Sequence, residues 1–106
     1  MIIHTYSDPG HGWARVPRRL LHQLGIAQDI TPYSYQRGTL VYLEEDCDLT
    51  TLVCALKAAG IRYTFKGHVS RERPSRIRGY ESYVPRVELS ALFPVPSWVL
   101  VEGARL

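Results

Sequence analysis

The run Thr39-Leu40-Val41-Tyr42-Leu43 narrows the folds open to this chain more than any other stretch, because it is β-branched and aliphatic enough for a central strand. Directly after it come the carboxylates of Glu44, Glu45, Asp46 and Asp48, the last placed to cap a helix whose buried stripe is Leu49, Leu52, Val53 and Leu56. Gly60-Ile61 stops that helix, and the alternating Arg62-Tyr63-Thr64-Phe65-Lys66 predicts another strand. Residues 38–66 therefore read as a strand–helix–strand unit with parallel partners, the helix lying on one face of the sheet.

Upstream, residues 2–6 predict a short strand that ends in the turn chemistry of Ser7-Asp8-Pro9-Gly10. His11 then stands between Gly10 and Gly12, in a loop that is either a tight turn or a backbone cradle for a ligand. Pro17 suits a first helical position, and Leu20, Leu21 and Leu24 lead to a second Gly-Ile stop at Gly25-Ile26, so a helix is expected over residues 17–24. Arg18 and Arg19 in its first turn oppose the helix dipole; an anion there, beside His11 and Arg15, would reverse that cost. Residues 27–37 read as an irregular loop containing Pro32.

The expected architecture is α+β, a small single-domain sandwich with a sheet of three to five strands, one parallel βαβ unit and two helices. Residues 1–83 make the compact domain, and residues 84–106 a proline-interrupted extension, broken at Pro85, Pro94 and Pro96, whose Trp98 segment serves as an edge strand or an oligomer arm. The 106 residues leave no room for a second domain. Residues 1–6 lack a charged, apolar leader, no segment is long enough to span a membrane, and Cys47 and Cys54 fit a reduced cytoplasmic pair, so the expected location is cytoplasmic.

Charge is segregated along the chain. The acids of residues 44–48 face, further on, the arginine-rich segment Arg71, Arg73, Arg76 and Arg78, and a net charge of +3 is carried almost wholly by arginine. Either these acids pair with those arginines internally, or the arginines and tyrosines hold a phosphorylated, aromatic ligand by guanidinium–phosphate contacts and base stacking. The expected ligand-binding set is His11, Trp13, Arg15, Arg18, Tyr35, Arg37, Tyr42, Arg76, Arg78, Tyr80 and Tyr83. No catalytic residue and no cofactor is assigned. Glu45, Asp46 and Asp48 are the weak metal candidates, His4, Asp8 and His11 complete no ligand motif, and binding is favoured over turnover while enzyme status stays open.

Across Ser7-Asp8-Pro9-Gly10-His11-Gly12-Trp13, Ser34-Tyr35-Gln36-Arg37-Gly38, Tyr42-Leu43-Glu44-Glu45-Asp46-Cys47-Asp48 and Arg76-Ile77-Arg78-Gly79-Tyr80-Glu81-Ser82-Tyr83, the chain resembles small uncharacterised proteins of phages and other mobile elements. The resemblance spans residues 3–83 and carries no catalytic residue with it. It implies a counter-defence protein acting by binding in the host cytoplasm. The partner is then an anionic, nucleotide-like small molecule, or a nucleic-acid-handling defence complex such as a CRISPR effector, making the chain an anti-CRISPR candidate. A metal-dependent phosphodiesterase or nuclease is the enzymatic alternative; no membrane is expected, and a homodimer stays open.

Overall fold

Two-residue alternation sorts the strand side chains onto two unlike faces, and everything else follows from which face is covered. The computed structural model describes residues 1–86. Its strands are β1 (Ile2–Ser7), β2 (Gly12–Pro17), β3 (Tyr35–Arg37), β4 (Leu40–Glu44), β5 (Thr64–Val69) and β6 (Glu81–Ser82), with helices α1 (Arg18–Gln23) and α2 (Asp48–Ala58). The strands form one mixed sheet in the order β5-β1-β2-β4-β3-β6, antiparallel throughout except for β1 and β5.

On one face Ile3, Ala14, Val16, Val41 and Leu43 pack against Leu20, Leu21, Leu52 and Leu56 of the two helices, and these residues are the main core. Both helices end as their Gly-Ile pairs predict. Gly25 and Gly60 adopt φ of 72° and 69°, and the Ile26 and Ile61 amides bond back to Leu21 and Leu56, which closes a Schellman motif at each end.

The parallel pairing expected within residues 38–66 is corrected. β4 and β5 do run the same way, but β1 and β2 lie between them, and the parallel partner of β5 is β1. β2 is the cause. Gly10 before it and Gly12 and Pro17 at its two ends are loop-like residues, yet Ala14 and Val16 are buried at 0% and 1% exposure, and it pairs antiparallel with both β1 and β4. Pro17 accordingly ends this strand with extended backbone, and α1 starts one residue later than predicted.

The sheet also exceeds the expected three to five strands. The supposed loop of residues 27–37 ends in β3, joined to β4 through Gly38-Thr39, where Gly38 at φ 58° supplies the positive φ that such a tight hairpin needs at its first central position. Asp48 is not the cap it was expected to be. Its carboxylate is 1% exposed and turns away from α2 to accept from the Thr31 amide and from the Thr31 and Ser34 hydroxyls. Of the extension, Val84 is anchored by Arg18 and Gln36; the Trp98 segment lies outside the described residues. No helix among the described residues is long and apolar enough to cross a membrane.

Candidate ligand-binding face

The sheet face away from the helices is aromatic and basic. Alternation brings Tyr6 of β1, Trp13 and Arg15 of β2, Tyr35 and Arg37 of β3, and Tyr42 and Glu44 of β4 to this side, with Tyr6 opposite Trp13 and both Arg15 and Tyr35 opposite Tyr42. Across it lies a strap, residues 74–80, whose 3-10 turn (Arg76–Gly79) buries Ile77 against Trp13 and Tyr42. Ser75 caps that turn by accepting from the Ile77 amide.

One carboxylate holds the strap down. Asp8 accepts from the Ser75 amide at 2.8 Å and from Arg78 Nε and Nη2 at 2.6 and 2.8 Å, while its Oδ1 also takes the Gly10 and His11 amides of the β1–β2 turn. The Arg78 guanidinium first, and then these amides, hold the Asp8 carboxyl well below the usual carboxylate range. Arg78 is raised in turn by the same bond.

Two depressions flank the strap. The larger, about 600 Å³, is lined by Tyr6, Arg15, Tyr42, Arg73, Arg76 and Tyr80 together with Ser70, Pro74, Ser75 and Ile77. Its rings form a ladder: Tyr6 meets Tyr42 at 6.2 Å between centroids and Tyr42 meets Tyr80 at 5.1 Å, with Arg15 over Tyr6 and Arg37 over Tyr80 at 5.5 and 5.0 Å. Burial and then Tyr80 push the Tyr42 hydroxyl up, so it stays a neutral donor. The smaller depression, about 310 Å³, has walls of Trp13, Tyr33, Tyr35 and Arg78 and a rim of His11, Glu44, Asp46 and Cys47. Cys47 is a poor thiolate, raised by desolvation and then by the Glu44 carboxylate.

The expected ligand-binding set is thus divided. Arg15, Tyr42, Arg76 and Tyr80 share the larger depression; His11, Trp13, Tyr35 and Arg78 share the smaller one; and Arg37 lies against Tyr80. Arg18 and Tyr83 are on the other side of the sheet, buried at 7% and 2%. Arg18 donates to Gln36 Oε1 and to the Val84 carbonyl, and its guanidinium lies over the Tyr83 ring, whose hydroxyl donates to the Ala27 carbonyl. The anion site expected at the start of α1 is therefore filled by the chain itself. Of the metal candidates, Asp48 is consumed by its hydroxyl and amide donors, and Asp46 joins His11.

Internal pairing of the acids at residues 44–48 with the arginine segment is absent among the described residues. Arg78 pairs with Asp8 there, and His11 Nδ1 faces Glu44 at 3.9 Å, so among the described residues Arg15, Arg73 and Arg76 have no carboxylate partner. Tyr6, Arg73 and Glu44 belong to these depressions without having been expected. Alternation along residues 2–6 would have put Tyr6 on one face with His4, but which face lies open is decided by the helices. No family model, curated protein or solved structure matches the chain.

Proposed function

We propose that the chain is a binding protein that captures an anionic, nucleotide-type ligand in the larger depression. The observation that carries this reading is the meeting of three arginines free of carboxylate partners among the described residues with a ladder of tyrosine rings in one groove. Guanidinium forks supply bidentate contacts to phosphate oxygens, and the partly exposed rings of Tyr6 and Tyr80 supply faces on which a base stacks. The volume suits one nucleotide or a compact dinucleotide rather than a long polymer. Taken with the resemblance to phage proteins, capture of a nucleotide signal is a counter-defence role.

A thermal-shift screen with mononucleotides and cyclic dinucleotides tests the reading. A ligand at ~100 times its Kd stabilises the protein by ~2.7 kcal/mol, and Arg15→Ala with Arg76→Ala should abolish that gain while leaving the ligand-free midpoint in place. A screen in which no nucleotide moves the midpoint would remove the proposal.

One observation favours docking on a nucleic-acid-handling defence complex as the second reading. Among the described residues strand β5 is exposed along its whole length at the edge of the sheet, with Phe65 and Val69 at 46% and 66% exposure on one face. On that reading, Phe65→Lys disrupts complex formation and nucleotides do nothing, whereas direct nucleic-acid binding would weaken steeply as salt rises.

A further inference from the structure

We propose that His11, Glu44 and Asp46 hold a divalent first-row transition-metal ion at the rim of the smaller depression. Their donor atoms all lie within 4.8 Å of one another. Two donors each ~2.1 Å from one cation stand ~3 to 4.2 Å apart, so a small rotation of the exposed His11 and Asp46 side chains completes the cluster.

The set is more than a patch of surface acids, because Glu44 is a buried residue whose side chain is only 11% exposed, and it lines the cavity together with His11 and Asp46. Its Oε2 accepts the Asp46 and Cys47 amides at 2.9 and 3.0 Å, which fixes the carboxylate plane. Its Oε1 accepts no hydrogen bond among the described residues and has His11 Nδ1 as its facing group, at 3.9 Å. That oxygen is therefore free to coordinate a cation that the facing imidazole also reaches. His11 reaches the spot from a different direction, on the β1–β2 turn whose backbone Asp8 fixes. The ligands thus come from the β1–β2 turn and from the end of β4 with the turn that follows it, each braced by its own hydrogen bonds.

One imidazole nitrogen and two carboxylates suit Mn²⁺, Fe²⁺, Co²⁺ or Zn²⁺ better than Mg²⁺ or Ca²⁺, which prefer all-oxygen shells. The open coordination positions face a 310 Å³ space walled by Trp13, Tyr33 and Tyr35, with room for water or an anionic oxygen. This site uses residues outside the nucleotide groove, so failure of either proposal leaves the other standing.

Calorimetric titration of tag-free, metal-stripped full-length protein with ZnCl₂, MnCl₂ and MgCl₂ tests it, alongside NMR of the His11 ring and Trp13 indole during the Mn²⁺ addition. One equivalent should bind, with Zn²⁺ tighter than Mg²⁺ and Mn²⁺ broadening centred on His11 and Trp13. His11→Ala and Asp46→Asn should each weaken binding by ~10-fold or more, while Glu45→Gln leaves it unchanged. Both replaced side chains are exposed, and the melting midpoint in EDTA verifies that the variants fold. The proposal is overturned by absence of binding, by affinity that survives both substitutions, or by broadening centred on the His4–His68 pair, the competing imidazole donors, whose facing nitrogens lie 3.0 Å apart. In each of those cases the acids serve only as dipole partners of α2.

Discussion

Asp8 gathers five donors on two oxygens, two from Arg78 and three from backbone amides, and so ties the first turn of the chain to a strap some seventy residues away. Because its folded pKa is depressed from 3.8, the stability it contributes is complete above that unfolded value and is lost as pH falls through the folded one. Asp8→Asn should therefore lower the melting midpoint at pH 7 and speed amide exchange at Ser75, with the gap to the parent narrowing below about pH 4. A gap of constant size down to pH 2 would mean that the carboxylate charge is not what holds the strap. His4 has the same sign in a higher pH window. Desolvation, then Arg15, His68 and Lys66, lower its pKa from 6.5, so the folded state is disfavoured as the unfolded imidazole takes its proton. Stability should rise with pH up to about 6.5 and then level off, and His4→Gln should flatten that part of a melting curve series.

At the scale of elements, the β3–β4 hairpin depends on one backbone conformation and α2 on one buried stripe. Gly38 sits at φ 58° with open space around an added Cβ, so Gly38→Ala should cost ~1–2 kcal/mol through backbone strain alone. Urea denaturation would show this as a lower midpoint with unchanged slope. Leu52 of α2 is 0% exposed in the core, and Leu52→Ala should cost ~2–5 kcal/mol, the transfer of its methyl groups plus the cavity left behind. β5 depends on less. It is exposed along its length and, among the described residues, bonded only to β1, so its amides should exchange well before those of β2 and β4 in hydrogen-exchange measurements.

For the whole molecule, the division of labour between the two sheet faces is the central fact. One face carries helices and stability; the other carries rings, arginines and a strap, and its groove can be altered without entering the helix-covered core. Arg76→Ala should change unliganded stability by less than ~0.5 kcal/mol, as expected for an exposed side chain outside such features, while weakening nucleotide binding in the thermal-shift assay. Much of this design was legible in the residues themselves. Both Gly-Ile helix stops, the β1 and β4 strands and the α2 stripe follow from local pattern, because glycine conformation and apolar spacing act over a few residues. What tertiary structure decided was pairing. That β2 is a strand, that β5 joins β1, that Asp8 meets Arg78 and that Arg18 is spent inside the core all depend on partners remote in sequence, and local patterns carry no record of which remote group fills a bond.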